Sequence, residues 1–187
     1  MKRIFVLSAV VVMAACNSNE PTKTGSTADS VKPAAEVTMP AAIKSPYAIG
    51  YSSSFAVDDP KNAETLLALW KDYDNGDLSA AKDMFADTVD FLLSDGTVLH
   101  GPKDSVIAVA QKHRDMSAKV VSRVNAIMAL KSLDRNEHWA LIWGGEVDTN
   151  KKGKVDSSNI QETWRFNNDG KANLMFQYMQ AAAPPKK

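Results

Sequence analysis

From Lys119 onward the chain is a succession of long strand-forming runs broken by turn residues, and this leaves few folds open. The runs are Lys119 to Leu133, His138 to Thr149, Asp156 to Asn167 and Ala172 to Gln180. Gly153 separates the second from the third, and Asn168-Asp169-Gly170 the third from the fourth. Connections this short join antiparallel neighbours, because a parallel neighbour needs a crossover of a dozen or more residues.

The segment before these runs reads as helices and a hairpin. Asp59-Pro60 is a helix start, since Asp can accept from free backbone N–H groups and Pro is pre-set for the first turn. Ala63, Leu66, Leu67 and Trp70 then recur on one face, and the helix ends near Asn75-Gly76. A second short helix is expected from Leu78 to Phe85. Asp87 to Leu93 reads as a strand turning through Ser94-Asp95-Gly96 into Thr97 to His100. Gly101-Pro102 opens a third helix that runs through Val106, Val109, Ala110 and His113. Helices, a hairpin, another helix and then antiparallel strands imply an α+β domain over residues 59–180. Ahead of it, Tyr47, Ile49, Tyr51 and Phe55 alternate with small or polar residues, so residues 47–58 read as an extended arm that docks as an edge strand.

The start of the chain has a different texture. Lys2 and Arg3 precede an apolar run from Ile4 to Val12, the layout of a secretory signal over residues 1–15. The run closes on Met13-Ala14-Ala15-Cys16, which resembles the bacterial lipobox, with Met13 where Leu is more usual. The resemblance implies cleavage before Cys16, lipidation of that residue and a membrane-anchored lipoprotein of the bacterial envelope on the periplasmic face of the outer membrane. Ordinary secretion with cleavage after Ala15 is the plainer alternative. Cys16 is the single cysteine, so no internal disulfide is possible and the fold must rest on its hydrophobic core. Residues 16–46, rich in Ser, Thr, Pro, Ala and Lys, read as a flexible tether with a reach of roughly 30 Å. Residues 181–187 read as a disordered tail.

Charge narrows the partners. The chain has 22 basic and 22 acidic residues, and loss of Lys2 and Arg3 with a signal tips it only slightly acidic. A nucleic-acid partner needs a basic face that this balance does not supply. Lys151-Lys152-Gly153-Lys154 is the densest basic run, and it reads as a solvated hairpin turn.

The order of elements, together with Phe85-Ala86-Asp87, the stretch Gly96 to Gly101 before Pro102, Trp139 to Gly144, and Trp164-Arg165-Phe166 followed by Asp169-Gly170-Lys171, resembles the nuclear transport factor 2-like superfamily in its SnoaL-like branch. The resemblance implies a cone: a strongly bent antiparallel sheet packed on about three N-terminal helices, with an apolar pocket at one end. It also implies a homodimer formed sheet to sheet. In isomerase and cyclase members an acid near the end of the first strand serves as general base. The matching position here is Leu93, beside Leu92, so the expected carboxylate is absent there. Asp90 lies on the opposite face of its strand, and Asp95 belongs to the turn.

The remaining candidates for lining a pocket are His100, Asn125, Trp139, Trp143, Gln161, Trp164 and Tyr178. His100 either sits on a pocket rim as an acid or base or simply hydrogen-bonds its turn. His100, His113 and His138 lack metal-ligand spacing, so no metal is expected. Trp139, Leu141 and Trp143 share one strand face, and Ile142, Gly144 and Glu146 the other, with no sign of which faces the pocket. Gln161 stands where similar proteins often carry His, and it can hydrogen-bond but not titrate. No phosphate loop or nucleophile elbow is present, so no cofactor and no catalytic residue is assigned. Three readings follow. One is an envelope-tethered domain holding a small apolar or amphipathic ligand without catalysis. The second is an isomerase, cyclase or dehydratase with a noncanonical acid or base such as His100 or Glu146, and the third is a protein-interaction module.

Overall fold

The computed structural model describes residues 43–181. The signal segment, Cys16, residues 17–42 of the tether and residues 182–187 of the tail lie outside the described residues, while Ala181, expected in the tail, ends the last strand. The strands are β1 (Phe55–Val57), β2 (Phe85–Leu92), β3 (Val98–Pro102), β4 (Ser117–Ser132), β5 (Glu137–Asn150), β6 (Val155–Phe166) and β7 (Ala172–Ala181). The helices are α1 (Lys61–Asn75) and α2 (Lys103–Arg114).

All seven strands join one sheet in the order β1-β4-β5-β6-β7-β2-β3. Each neighbouring pair is antiparallel except β2 with β7, which run parallel. The sheet curls around the helices without closing, the α+β architecture that the sequence predicts. Helix α1 packs on β4 and β5, and α2 packs on β2 and β3. The core lies between them, with Leu66, Val89 and Ile142 fully buried.

Local chemistry sets the boundaries. Asp59 accepts the N–H of Lys61 at 2.9 Å, fixing the start of α1. Gly76 ends it in the left-handed conformation, φ 86°, with its N–H bonded to the carbonyls of Asp72 and Tyr73. The stretch expected as a second helix, Leu78 to Phe85, is instead a 3₁₀ helix over Ala80–Met84. Asp77 holds the N–H and hydroxyl of Ser79 in a tight turn, and Phe85 already belongs to β2, so no room is left for an α-helix.

Of the arm, Phe55–Val57 pairs with Leu130 to Ser132 at the edge of β4. Ahead of it, Tyr51 stands edge-on to Trp139 with ring centroids 5.8 Å apart, and the Arg135 guanidinium lies 4.0 Å over the Tyr51 ring. His138 and Asp58 are joined at 2.6 Å where the arm meets α1. Tyr47 and Ile49 remain exposed.

Candidate functional site

Strand alternation and cross-strand register decide which side chains face the helices. On β5, Ala140 and Ile142 are fully buried, so Gly144 and Glu146 share their inward face. Ala140 pairs with Trp164, Ile142 with Glu162 and Gly144 with Ile160, which puts those β6 residues on the same face. Gln177 of β7 lies opposite Glu162, and Ser122 of β4 lies opposite Glu146.

Between this face and the helices is a cavity of about 470 Å³. Its wall is apolar and aromatic: Leu69, Phe85, Phe91, Ile107, Trp164 and Met175. Ser94, Asp95, Thr97 and His113, all exposed, form its rim. Into it project Glu146, Glu162 and Tyr73. The absence of an acid at Leu93, which itself lines the cavity, therefore does not leave the chamber without ionisable groups. The carboxyls come from β5 and β6 instead of from the end of the first long strand.

The two glutamates differ in surroundings. Glu162 is buried and accepts three N–H donors: the indole of Trp70 at 2.7 Å, the indole of Trp164 at 2.9 Å and the amide of Gln177 at 3.1 Å. No side chain donates to Glu146 in the hydrogen-bond network of the described residues. Burial, with Asp148, Glu162 and Asp74 adding repulsion against the opposing pull of Arg114, pushes its carboxyl up from 4.5 to about 7. Burial likewise pushes the Tyr73 phenol up, so that the group keeps its proton, and its hydroxyl lies 3.3 Å from Nδ1 of His113. Behind Glu146, Asp74 accepts the hydroxyl and N–H of Ser122, and one oxygen of Asp148 is buried without a partner. Arg114, also buried, donates to the carbonyls of Tyr73, Asp74 and Ser117.

Of the residues expected to line a pocket, Leu93 and Trp164 meet in this cavity. Asn125, Trp143, Gln161 and Tyr178 meet in a second, open depression. Trp143 pairs with Gln161 and Gln161 with Tyr178, one step out of register with the inward residues, so these three belong to the outer face of the sheet. Trp139 is also on that face, buried beneath Tyr51 and Arg165. His100 lines neither depression; it is exposed and bonded to Asp90 at 2.5 Å.

The functional residue that pattern reading missed is Glu162. Its signal is the alternation Ile160, Glu162, Trp164, Phe166, which places a carboxyl in an otherwise apolar register. Glu146 is legible in the sequence as a candidate acid or base, and the β5–β6 register adds that it is on the inward face. Among the described residues no group of His, Cys, Asp and Glu is arranged to hold a metal ion.

No family model and no curated protein matches the sequence. Solved structures do match. An NTF2-like protein of unknown function from Burkholderia pseudomallei is 19% identical, with a TM-score of 0.53 over 64% of this chain and 91% of that one. A putative SnoaL-like polyketide cyclase from Shewanella denitrificans is 12% identical, with a TM-score of 0.54 over 65% of this chain and 92% of the other. A putative dehydratase of the NTF2-like family from Streptomyces avermitilis is 10% identical, with a TM-score of 0.51 over 65% and 95%. Identities this low speak to architecture alone. The α+β architecture with its curled, unclosed seven-stranded sheet is that of the nuclear transport factor 2-like fold, and that is the fold of this chain.

Proposed function

We propose that the chain is an envelope lipoprotein, anchored through Cys16, whose domain holds a small, largely apolar molecule in the cone. The cavity of about 470 Å³ carries this reading: its volume falls in the range of small-molecule sites, and an apolar wall with a few polar groups is the usual composition of one. Native mass spectrometry of the purified full-length chain should show a co-purifying hydrophobic compound, or capture of one from a mixed lipid extract. Leu99→Trp, which places an indole in the cavity, should abolish that capture. A wild-type chain that captures nothing would remove the reading. Globomycin, which blocks lipoprotein signal cleavage, should leave an unprocessed precursor in cells if Cys16 is the anchor.

A second reading is supported by Glu146. A carboxyl that exchanges its proton near neutrality inside an apolar cavity is matched to general acid–base work. The Tyr73 hydroxyl supplies a further polar contact to a reacting molecule. Incubation with benzylacetone in deuterated water tests it: α-proton exchange above the buffer rate in wild type, absent in Glu146→Gln, supports catalysis, and exchange at the buffer rate in both counts against it. The outer sheet face, which exposes Val121, Met128, Val147 and Tyr178, is the surface through which a second copy would pair. Sedimentation as a monomer at micromolar concentration would exclude that pairing.

A further inference from the structure

We propose that the occupant of the cavity carries a protonated amine on an apolar body, and that Glu146 is the group that pairs with it. This inference deepens the ligand-binding reading and rests on it.

The deciding feature is charge inside a largely apolar cavity. Glu146 and Glu162 both line the cavity and Asp95 stands on its rim, whereas no lysine or arginine among the described residues lines it. The nearby cation, Arg114, has its guanidinium committed to three backbone carbonyls. Glu162 is already satisfied by two indoles and an amide. That leaves Glu146 as the acceptor facing the cavity without a side-chain donor. An ammonium group at this point relieves the repulsion from Asp148, Asp74 and Glu162, and it makes a charge-assisted hydrogen bond of the strong kind. The rings of Trp70, Tyr73, Phe91 and Trp164 line the same cavity, and aromatic walls accommodate a cation on an apolar body. An anionic ligand beside Glu146 meets the same repulsion from Asp148, Asp74 and Glu162.

The same groups set a pH dependence. Glu146 faces Asp148 on its own strand, Glu162 on β6, Ser122 on β4, Tyr73 and Asp74 on α1, and Arg114 and His113 on α2. Its carboxyl ionises around pH 7, well below the pH at which an alkylamine loses its proton. Affinity for the amine therefore rises as pH climbs through neutrality. A neutral ligand that accepts the proton of Glu146 would show the reverse trend.

Three matched probes test this on the full-length chain by titration calorimetry: phenylbutylamine, phenylbutanol and phenylbutyrate. The amine should bind about tenfold tighter than the alcohol at pH 8, a difference of one charge-assisted contact. That margin should shrink by pH 6, and Glu146→Gln should erase it through a loss of the amine's affinity at pH 8. If the alcohol or the acid binds as tightly as the amine at pH 8, the amine assignment fails and the cavity reading stands. If none of the three binds, both fail.

Discussion

The indole N–H of Trp70, on α1, donates to the carboxylate of Glu162, on β6, at 2.7 Å across 92 residues of sequence. Trp164 donates to the same oxygen from within the sheet, so one carboxylate ties the helix layer to the sheet beside the cavity. Removal of the acceptor leaves two indole N–H groups without a partner. Glu162→Leu should therefore cost about 2–4 kcal/mol in urea unfolding, and Glu162→Gln distinctly less, because an amide oxygen still accepts.

Glu146 makes a different contribution, with a sign that can be worked out. Its folded-state pKa of about 7 lies above the ordinary 4.5, so between those values the folded chain keeps a proton that the unfolded chain has lost. Stability from this group falls as pH rises through that window and is level above it. The loss is on the order of 2 kcal/mol after allowing for solvent at the rim. Glu146→Gln should raise the thermal midpoint relative to wild type at pH 8, with the gap closing toward pH 5.

Gly144 is required by a close approach. A Cβ there would sit 2.1 Å from the carbonyl oxygen of Arg123 and 3.2 Å from the Trp70 ring, opposite the point where the β4–β5 pairing shifts between Val124 and Ala126. Gly144→Ala should cost about 2 kcal/mol or more in chemical denaturation, and it should weaken capture of hydrophobic compounds by moving Trp70.

The arm shields an aromatic surface. Trp139 is buried although it points to the outer face, because Tyr51 and Arg165 cover it. Tyr51→Ala should reduce stability by about 1 kcal/mol and raise acrylamide quenching of tryptophan fluorescence.

How much of this was legible depended on whether the signal was local. Turn residues such as Gly153 and Asn168-Asp169-Gly170 mark the β5–β6 and β6–β7 connections, and Asp59-Pro60 marks the start of α1, because each acts through its own backbone. Whether Ala80–Met84 coils as an α or a 3₁₀ helix depends on the Asp77–Ser79 turn and on Phe85 joining the sheet, which no periodicity reports. The facing of β5 is set by which side α1 covers, and so Glu146 and Trp143 are distinguished only in three dimensions. Glu162 escaped a reading that compared single positions with relatives, since the position where an acid was expected, Leu93, follows β2 and Glu162 is on β6.

The last strand among the described residues, β7, lies between β6 and β2. The hairpin of β2 and β3 therefore has no neighbour on its inner side until the last ten residues of the domain have been made, and the parallel ladder that receives it joins residues more than eighty apart. Pairings of such separation are slow, because the chain must lose much of its freedom before any contact compensates. A chain stopped before Ala172 lacks the strand that lies between the two halves of the sheet, and only side-chain packing such as Phe91 on Trp164 connects them.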